Sequence, residues 1–447
     1  MDMLAGLPVF GGFLSTVIPF VVVLGIVVFV HEYGHYIVAR WCGIRSDVFS
    51  IGFGPVIWSR RDKRGTLWQL AALPLGGYVK FVGDADAGSR TDPKALDAMT
   101  PAERAASFHG AAVWRRMLTV LAGPVFNFLL TIVIFAGLVT WQGVPTERPT
   151  IGTIAELPDT EQTLHPGDVL LTVNGEPVTA FGDMLAIAMK MPEPGPIRVR
   201  VERDGGEVDV TAPWPLPPLV QGVEPLSPAS EAGLKAGDVI LQADGKPLAS
   251  FEELRQIVLA SGGHSIPLEV WRGGVRVILP ITPVERDAGT AEGGFERRVM
   301  IGVAGASLYM PATETPAPWT ALGFGAERMV MVISQSILGL KSILTGAISA
   351  ENLQGPLGIA QISGETASQG LTDFIGLIAI ISTAIGLLNL FPIPVLDGGH
   401  FVAFCIEAVR GRPPSPAVMQ VAMSIGLGLI LLLMVFATYN DIMRMVS

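Results

Sequence analysis

Four stretches of the chain contain no Asp, Glu, Lys or Arg: Met3 to Val30, Met117 to Thr146, Phe374 to Leu396 and Pro413 to Asn440. Each exceeds the roughly 20 apolar residues an α-helix needs to cross a bilayer, so the pattern predicts four transmembrane helices. No Lys or Arg precedes the first run, and it is longer than a signal-peptide h-region of roughly 7–15 residues; it is expected to be retained. Trp319 to Ala350 is also apolar but is interrupted by Glu327, Arg328 and Lys341, which predicts an amphipathic, interfacial helix pair rather than a fifth span.

Between the second and third runs the pattern shortens to strand-like alternation and repeats itself. Leu164–Val178 recurs as Leu234–Leu248, with Gly167/Gly237, Asp168/Asp238 and Gly175/Gly245 in register. Each copy reads as a Gly-Asp turn, a short apolar strand and an Asn-Gly or Asp-Gly turn into a second strand. A helical stretch follows each copy, clearest in Ala249 to Ala260, and then more strand, such as Ile266 to Trp271 and Val275 to Ile281. The repeat predicts two tandem α+β domains inserted in a helical membrane protein, over 143–215 and 216–285. Residues 286–352 then fall to a linker and the interfacial helices, with membrane domains over 1–142 and 353–447.

Composition supports this division. Of 447 residues, 50% are hydrophobic and 16% charged, against about 25% charged in soluble domains, which argues against an ordinary cytosolic enzyme. The net charge of -10 is uneven. Residues 40–116 carry 12 Lys+Arg and 7 Asp+Glu, a net of +5, whereas residues 143–318 carry 13 and 24, a net of -11. Arg115 and Arg116 abut the second run, and Arg410 and Arg412 precede the fourth, so the positive-inside rule places both short loops in the cytoplasm. Both termini and the acidic repeat region then lie on the other side. An acidic region lacks the basic footprint of nucleic-acid binding. Two cysteines, Cys42 and Cys405, are too few for a disulfide framework and read as small apolar fillers.

The informative residues are the polar exceptions in apolar sequence. His31, Glu32 and His35 end the first run, on a helix expected to reach Arg40. An unpaired acid at mid-membrane costs roughly 2.5 kcal/mol or more, so these groups need a partner. Residues i and i+4 share a helix face, so His31 and His35 can both face one metal ion while Glu32 reaches its water. His-Glu-x-x-His is the zinc metalloprotease pattern, with the Glu as general base. Catalytic zinc takes a third protein ligand and keeps one position open. Asp397 suits that place: Pro392 and Pro394 interrupt the helix before it, Gly398 and Gly399 allow a sharp turn, and it falls near the same predicted membrane face as the histidines. His400 is expected to play a supporting role, and His109, His165 and His264 to be solvated.

With these residues in place, the chain resembles the site-2 proteases, intramembrane zinc metalloproteases, specifically the bacterial regulator of sigma-E protease type with two PDZ domains. The resemblance covers the His-Glu-x-x-His helix, the Leu-Asp-Gly segment at 396–398, Gly123–Asn127, Leu353–Ala360, and Ser227–Asp238 of the second repeat; the first repeat lacks the equivalent Ser-Pro-Ala element. It implies that Leu73–Phe81, with Gly76, Gly77 and Tyr78, is a membrane re-entrant β-loop that receives substrate. It likewise implies that Asn389, with Pro392 and Pro394, holds the substrate backbone. The implied activity is zinc-dependent hydrolysis within transmembrane segments of single-span proteins in a bacterial inner membrane. An anti-sigma factor in envelope stress signalling is the implied substrate, and clearance of remnant signal peptides is the alternative. The PDZ domains, outside with both termini, would bind a peptide or a substrate's outer domain. Two other classes, an idle PDZ scaffold and a zinc transporter, do not need Glu32 beside the metal ligands.

Overall fold

A computed structural model of the chain describes residues 10–84, 97–289 and 295–446; the start of the first uncharged run, at Met3, lies outside them. The described residues form two units, one drawn from the chain up to Leu138 with Trp319–Gly346 and the part from Ala350 onward, the other from Val139–Pro318 with Ala347–Ser349.

Among the described residues the first unit is built on the helices α1 (Phe10–Trp41), α2 (Val113–Gln142), α3 (Pro318–Leu344), α4 (Pro356–Gln369), α5 (Leu371–Leu390), α6 (Asp397–Arg410) and α7 (Pro416–Val446), with a further short helix at Pro101–Ala105. Of these, α1, α2, α5 and α7 are long and apolar enough to cross a membrane. Their free faces carry Val133, Ile425 and Leu432, each more than 60% exposed, a surface suited to lipid rather than water. The helix α1 continues through His31 and His35 to Trp41. In contrast, α5 stops at Leu390, six residues short of the third run's end at Leu396. Pro392 and Pro394 supply no backbone donors, and the chain turns through 391–396 into α6.

The expected interfacial pair is corrected: α3 is one continuous helix, followed by a 3₁₀ turn at Ala350–Asn352 and then α4. The α4 N-terminus is capped from α7, where the Asp441 carboxylate accepts from the Gly355 and Gly358 amides at 3.1 and 2.9 Å. A side chain at either glycine would collide with that carboxylate. The spacing of glycines in Leu353–Ala360 therefore reflects an anion seated on a helix N-terminus.

Strands β1 (Ser46–Arg61) and β2 (Leu67–Phe81) form one antiparallel sheet that folds back on itself. Val48 pairs with both Lys80 and Leu67, and Ile51 with both Gly77 and Leu70, while Trp58 also pairs with Leu70. The four segments therefore lie in the order 58–61, 67–70, 48–51, 77–81, which leaves 77–81 at one edge. Gly52, at φ +87° beside the Ala71 and Leu73 carbonyls, permits the bend. One sheet face packs on α1 through Phe49, stacked on Trp68 at 4.3 Å, and Tyr36.

In the second unit the sequence repeat becomes a structural repeat. The strands Glu176–Pro177, Val169–Val173, Ile197–Arg203 and Gly206–Ala212 form one sheet; Lys246–Pro247, Val239–Ala243, Ile266–Arg272 and Val275–Ile281 form the other, in the same order. Asn174-Gly175 and Asp244-Gly245 are two-residue turns with both residues at positive φ, as a type I′ hairpin requires. The repeated Gly-Asp marks a buried ion pair. Asp168 receives the Arg203 guanidinium through Nε at 2.7 Å and a second nitrogen at 2.6 Å, and Asp238 receives Arg272 in the same way at 2.7 Å.

Residues 286–318 are not the linker expected from the sequence. Val284–Gly289 and Phe295–Met300 form a hairpin, Val303–Gly305 returns to pair with Val220–Val223 of the second repeat, and Tyr309–Pro311 pairs with Ile151–Ile154 of the first. These short strands carry too little periodicity to announce non-local pairing.

Burial pushes the Asp168 carboxyl up, but the bonds from Arg203 and the His165 amide outweigh it and hold the group below the usual carboxylate range. The pair's contribution is therefore complete above the unfolded value of about 3.9 and fades as pH falls through the lower folded value. Asp168→Ala should lower the stability of this repeat by about 2 kcal/mol, less than a fully buried pair because Arg203 is partly exposed. Hydrogen exchange across Ile197–Arg203 in the full-length protein should show that loss at pH 7 and a smaller one near pH 3.

Candidate metal centre

His31 and His35 lie one turn apart on α1, both 8% exposed, with their ring centroids 4.8 Å apart. The two helices approach closely there because the contact surface is glycine on both sides. A side chain at Gly34 would meet the Ala122 carbonyl and Phe126, and one at Gly123 would occupy the space of both imidazoles, with His31 Cε1 at 2.8 Å. Gly123 is thus the floor of the site. It lies within the Gly123–Asn127 element noted in the sequence, and there helix packing and site geometry are the same contact.

Asp397 is the first residue of α6 and reaches the histidines from the 391–396 turn. The glycines after it are needed for close approach: a side chain at Gly398 would strike the Leu390 and Phe391 carbonyls, and one at Gly399 the Ile393 carbonyl. The Asp397 Oδ2 atom lies 3.1 Å from His31 Nε2 and 3.4 Å from His35 Nε2, and the two Nε2 atoms are 3.2 Å apart. Among the described residues this is the one group of three or more such side chains able to hold a metal ion.

The triangle suits zinc. A tetrahedron with metal bonds of ~2.0–2.1 Å has edges of about 3.3 Å, and two nitrogens with one oxygen leave its fourth corner open. Asp397 Oδ2 is buried and accepts no hydrogen bond; a cation between the three atoms satisfies an oxygen that would otherwise be costly to bury.

Around this triangle lie contacts that spacing did not reveal. His35 Nδ1 is 2.8 Å from the Thr119 carbonyl, and His31 Nδ1 is 3.2 Å from the Asn127 side-chain amide. Arg116 makes a bidentate pair with Glu407 at 3.0 and 2.7 Å, and its guanidinium sits 5.0 Å from the Phe404 ring, which fastens α6 to α2. Both charges stood at or beyond the ends of uncharged runs, but nothing in the sequence pairs residues 291 positions apart.

The half-buried Glu32 faces the sheet edge. A side chain at Gly77 would press on Val28 and Glu32, and Gly76 lies at φ +140° under the Phe53 ring. Tyr78 stacks on Phe53 at 6.0 Å and accepts a hydrogen bond from Gln69. Asn389 donates to the Ile385 carbonyl of its own helix, with Pro392 exposed and Pro394 half-buried in the turn beyond it. His165 and His264 are exposed as expected. His109 corrects the sequence expectation: it is only 16% exposed and lies 3.1 Å from the buried Asp84 carboxylate. His400 and Cys42 are not part of the metal-capable group.

The family model of peptidase family M50 matches residues 19–433. An Agrobacterium fabrum protein named as a zinc metalloprotease is 37% identical over 98% of each chain, and one of the same description from Rhizobium meliloti is 36% identical over 96% of each. The regulator of sigma-E protease RseP of Escherichia coli is 33% identical, over 97% of this chain and 99% of its own.

Gly123→Ala should disrupt this centre without touching a candidate ligand. Overpacking of about 1–3 kcal/mol corresponds to zinc affinity about 10- to 100-fold weaker. Competition with a chelating dye would measure it; unchanged affinity would mean that the imidazoles do not need the floor.

Proposed function

The chain belongs to peptidase family M50 and is a multi-pass membrane zinc metalloprotease, and from that premise we propose that it hydrolyses peptide bonds inside the transmembrane segments of single-span proteins. The observation that carries this reading is the triangle of His31, His35 and Asp397 donors, at 3.1–3.4 Å, with both histidines on a helix apolar enough to span a membrane, Asp397 at the start of α6 just beyond another such helix, and Glu32 adjoining the group. In this reading His31, His35 and Asp397 hold the zinc. When bound, zinc acts as a Lewis acid that brings the pKa of a water towards 7.

Glu32 takes the proton of the attacking water and delivers it to the leaving amide nitrogen. A helical substrate hides its carbonyls in i to i+4 bonds, so it must unwind before it can react. The segment 77–81, an outer edge of the β1–β2 sheet with Gly77 against Glu32, offers backbone partners to the unwound strand, as a re-entrant β-loop would. Gly76 and Gly77 keep that edge slim, and Tyr78, Asn389, Pro392 and Pro394 complete the substrate path. Asn389 serves there by exchanging its bond to Ile385 for one to the substrate.

The repeats of the second unit are proposed as PDZ domains that meet a peptide or the outer domain of a substrate. A cavity of about 480 Å³ within that unit, bounded by Ile154 of the first repeat, Leu219, Val220 and Trp271 of the second, and Met310 of the strand that returns to them, gives them a concave surface for it. The charge asymmetry supports an orientation with the repeats and both termini in the periplasm and the metal centre near the cytoplasmic face of the inner membrane. By likeness to the sigma-E regulator, an anti-sigma factor is the proposed substrate, with remnant signal peptides as the second.

Three measurements test these assignments. Glu32→Gln should retain zinc and lose about 10²- to 10⁴-fold in cleavage of a model transmembrane substrate; normal turnover would remove Glu32 as the base. Asp397→Asn should reduce bound zinc by elemental analysis. Removal of residues 143–285 should release cleavage of substrates whose outer domains are intact, and no change would leave the repeats without a gating role.

A further inference from the structure

The second nitrogen of each candidate ligand histidine faces α2, but the two partners differ in kind. A histidine that offers Nε2 to a metal carries its proton on Nδ1 and needs an acceptor there. For His35 the acceptor is the Thr119 carbonyl, at 2.8 Å from Nδ1. A carbonyl can only accept, so it fixes the His35 tautomer that leaves Nε2 bare. His31 Nδ1 faces an amide, which can either donate or accept. With Asn127 Nδ2 at 3.2 Å from His31 Nδ1, the Asn127 Oδ1 atom is left buried without a hydrogen-bond partner on a fully buried residue.

Rotating the amide by half a turn resolves the tautomer: it brings the oxygen to His31 Nδ1 and turns Nδ2 to the place the oxygen held. The orphan oxygen then accepts from His31 Nδ1–H, and His31 Nε2 is freed towards Asp397. The two ends of an amide are nearly the same shape, so their hydrogen bonding decides the orientation. Bonds from the Ser382 hydroxyl to the Asn127 carbonyl at 2.9 Å, and from Thr131 to the Ala379 carbonyl at 3.0 Å, hold α2 to α5 at this level and keep the amide beside the ring.

We propose that Asn127 is a positioning residue for the metal: its side-chain oxygen accepts from His31 Nδ1–H and sets the tautomer that His31 needs as a ligand. The inference rests on the metal site proposed above. Asn127 itself touches neither the metal nor the substrate. Asn127 and the Thr119 carbonyl play the same part for the two histidines, eight residues apart on α2.

Zinc affinity of the full-length protein, measured by competition with a chelating dye, tests the proposal. Asn127→Leu keeps the volume but removes the acceptor and should bind zinc about 10- to 100-fold more weakly. Asn127→Asp keeps an acceptor and should bind at least as tightly as the wild type. A residue needed only for packing would not be rescued by Asp, whose buried charge suits a helix interface no better than Leu does. Equal affinity in the wild type and Asn127→Leu, or equal losses in Leu and Asp, overturns the positioning role and leaves the metal site standing. Unchanged zinc affinity in Asp397→Asn would instead overturn the metal site, and this inference with it. The absorption of cobalt substituted for zinc gives a second reading: Asn127→Leu should shift the ligand-field bands, and Asn127→Asp should restore them.

Discussion

Placing two imidazoles and a carboxylate together in apolar surroundings is the constraint on which the first unit depends. Water cannot solvate them there, and a buried carboxylate oxygen without a donor is among the costlier things a fold can contain. A cation shared by all three groups removes the cost. The fold must then hold donors from two distant segments within about a tetrahedral edge of one another, and much of the local architecture follows from that need.

Glycine provides the approach and charge provides the anchorage. Gly34 and Gly123 let α1 and α2 touch where the imidazoles lie, while Gly398 and Gly399 let α6 begin directly against the turn that delivers Asp397. Such close contacts are fixed only if the helices cannot slide. The Arg116–Glu407 pair, with Phe404 against the guanidinium, ties α6 to α2 near one membrane end. Hydroxyl bonds among Thr131, Ser382 and Thr383 tie α5 to α2 within the span, as small polar residues do in membrane bundles. Asp441 performs the same service for α4 from the end of α7. Each anchor is a polar group satisfied by a partner far away in sequence.

The second unit meets the same problem with the opposite solution. Its repeats each bury one carboxylate, Asp168 or Asp238, and satisfy it with an arginine from the neighbouring strand and a nearby backbone amide. No cation is needed because each partner lies in its own repeat. That difference separates a structural acid from a site acid: both carboxylate oxygens of Asp168 accept hydrogen bonds, whereas Asp397 has an oxygen left over.

Local patterns were sufficient for part of this. The uncharged runs identified the four long helices, the i and i+4 spacing put His31 and His35 on one face, and the recurrent Gly-Asp and Asn-Gly or Asp-Gly turns marked two similar sheets. These features depend on residues within one or two turns of each other, so periodicity records them. Asp397 was legible as well, because an acid at the end of an apolar run is conspicuous. The tertiary structure alone decided what depends on distant partners: the return of Val303–Gly305 and Tyr309–Pro311 to the repeats, the folding of β1 and β2 back on themselves, the burial of His109 against Asp84, and the pairing of Arg116 with Glu407. It also showed what Gly123 and Asn127 face. A glycine or an asparagine in an apolar helix has the same sequence signature whether it packs or positions, and only the neighbour that fills the space opposite it tells the two apart.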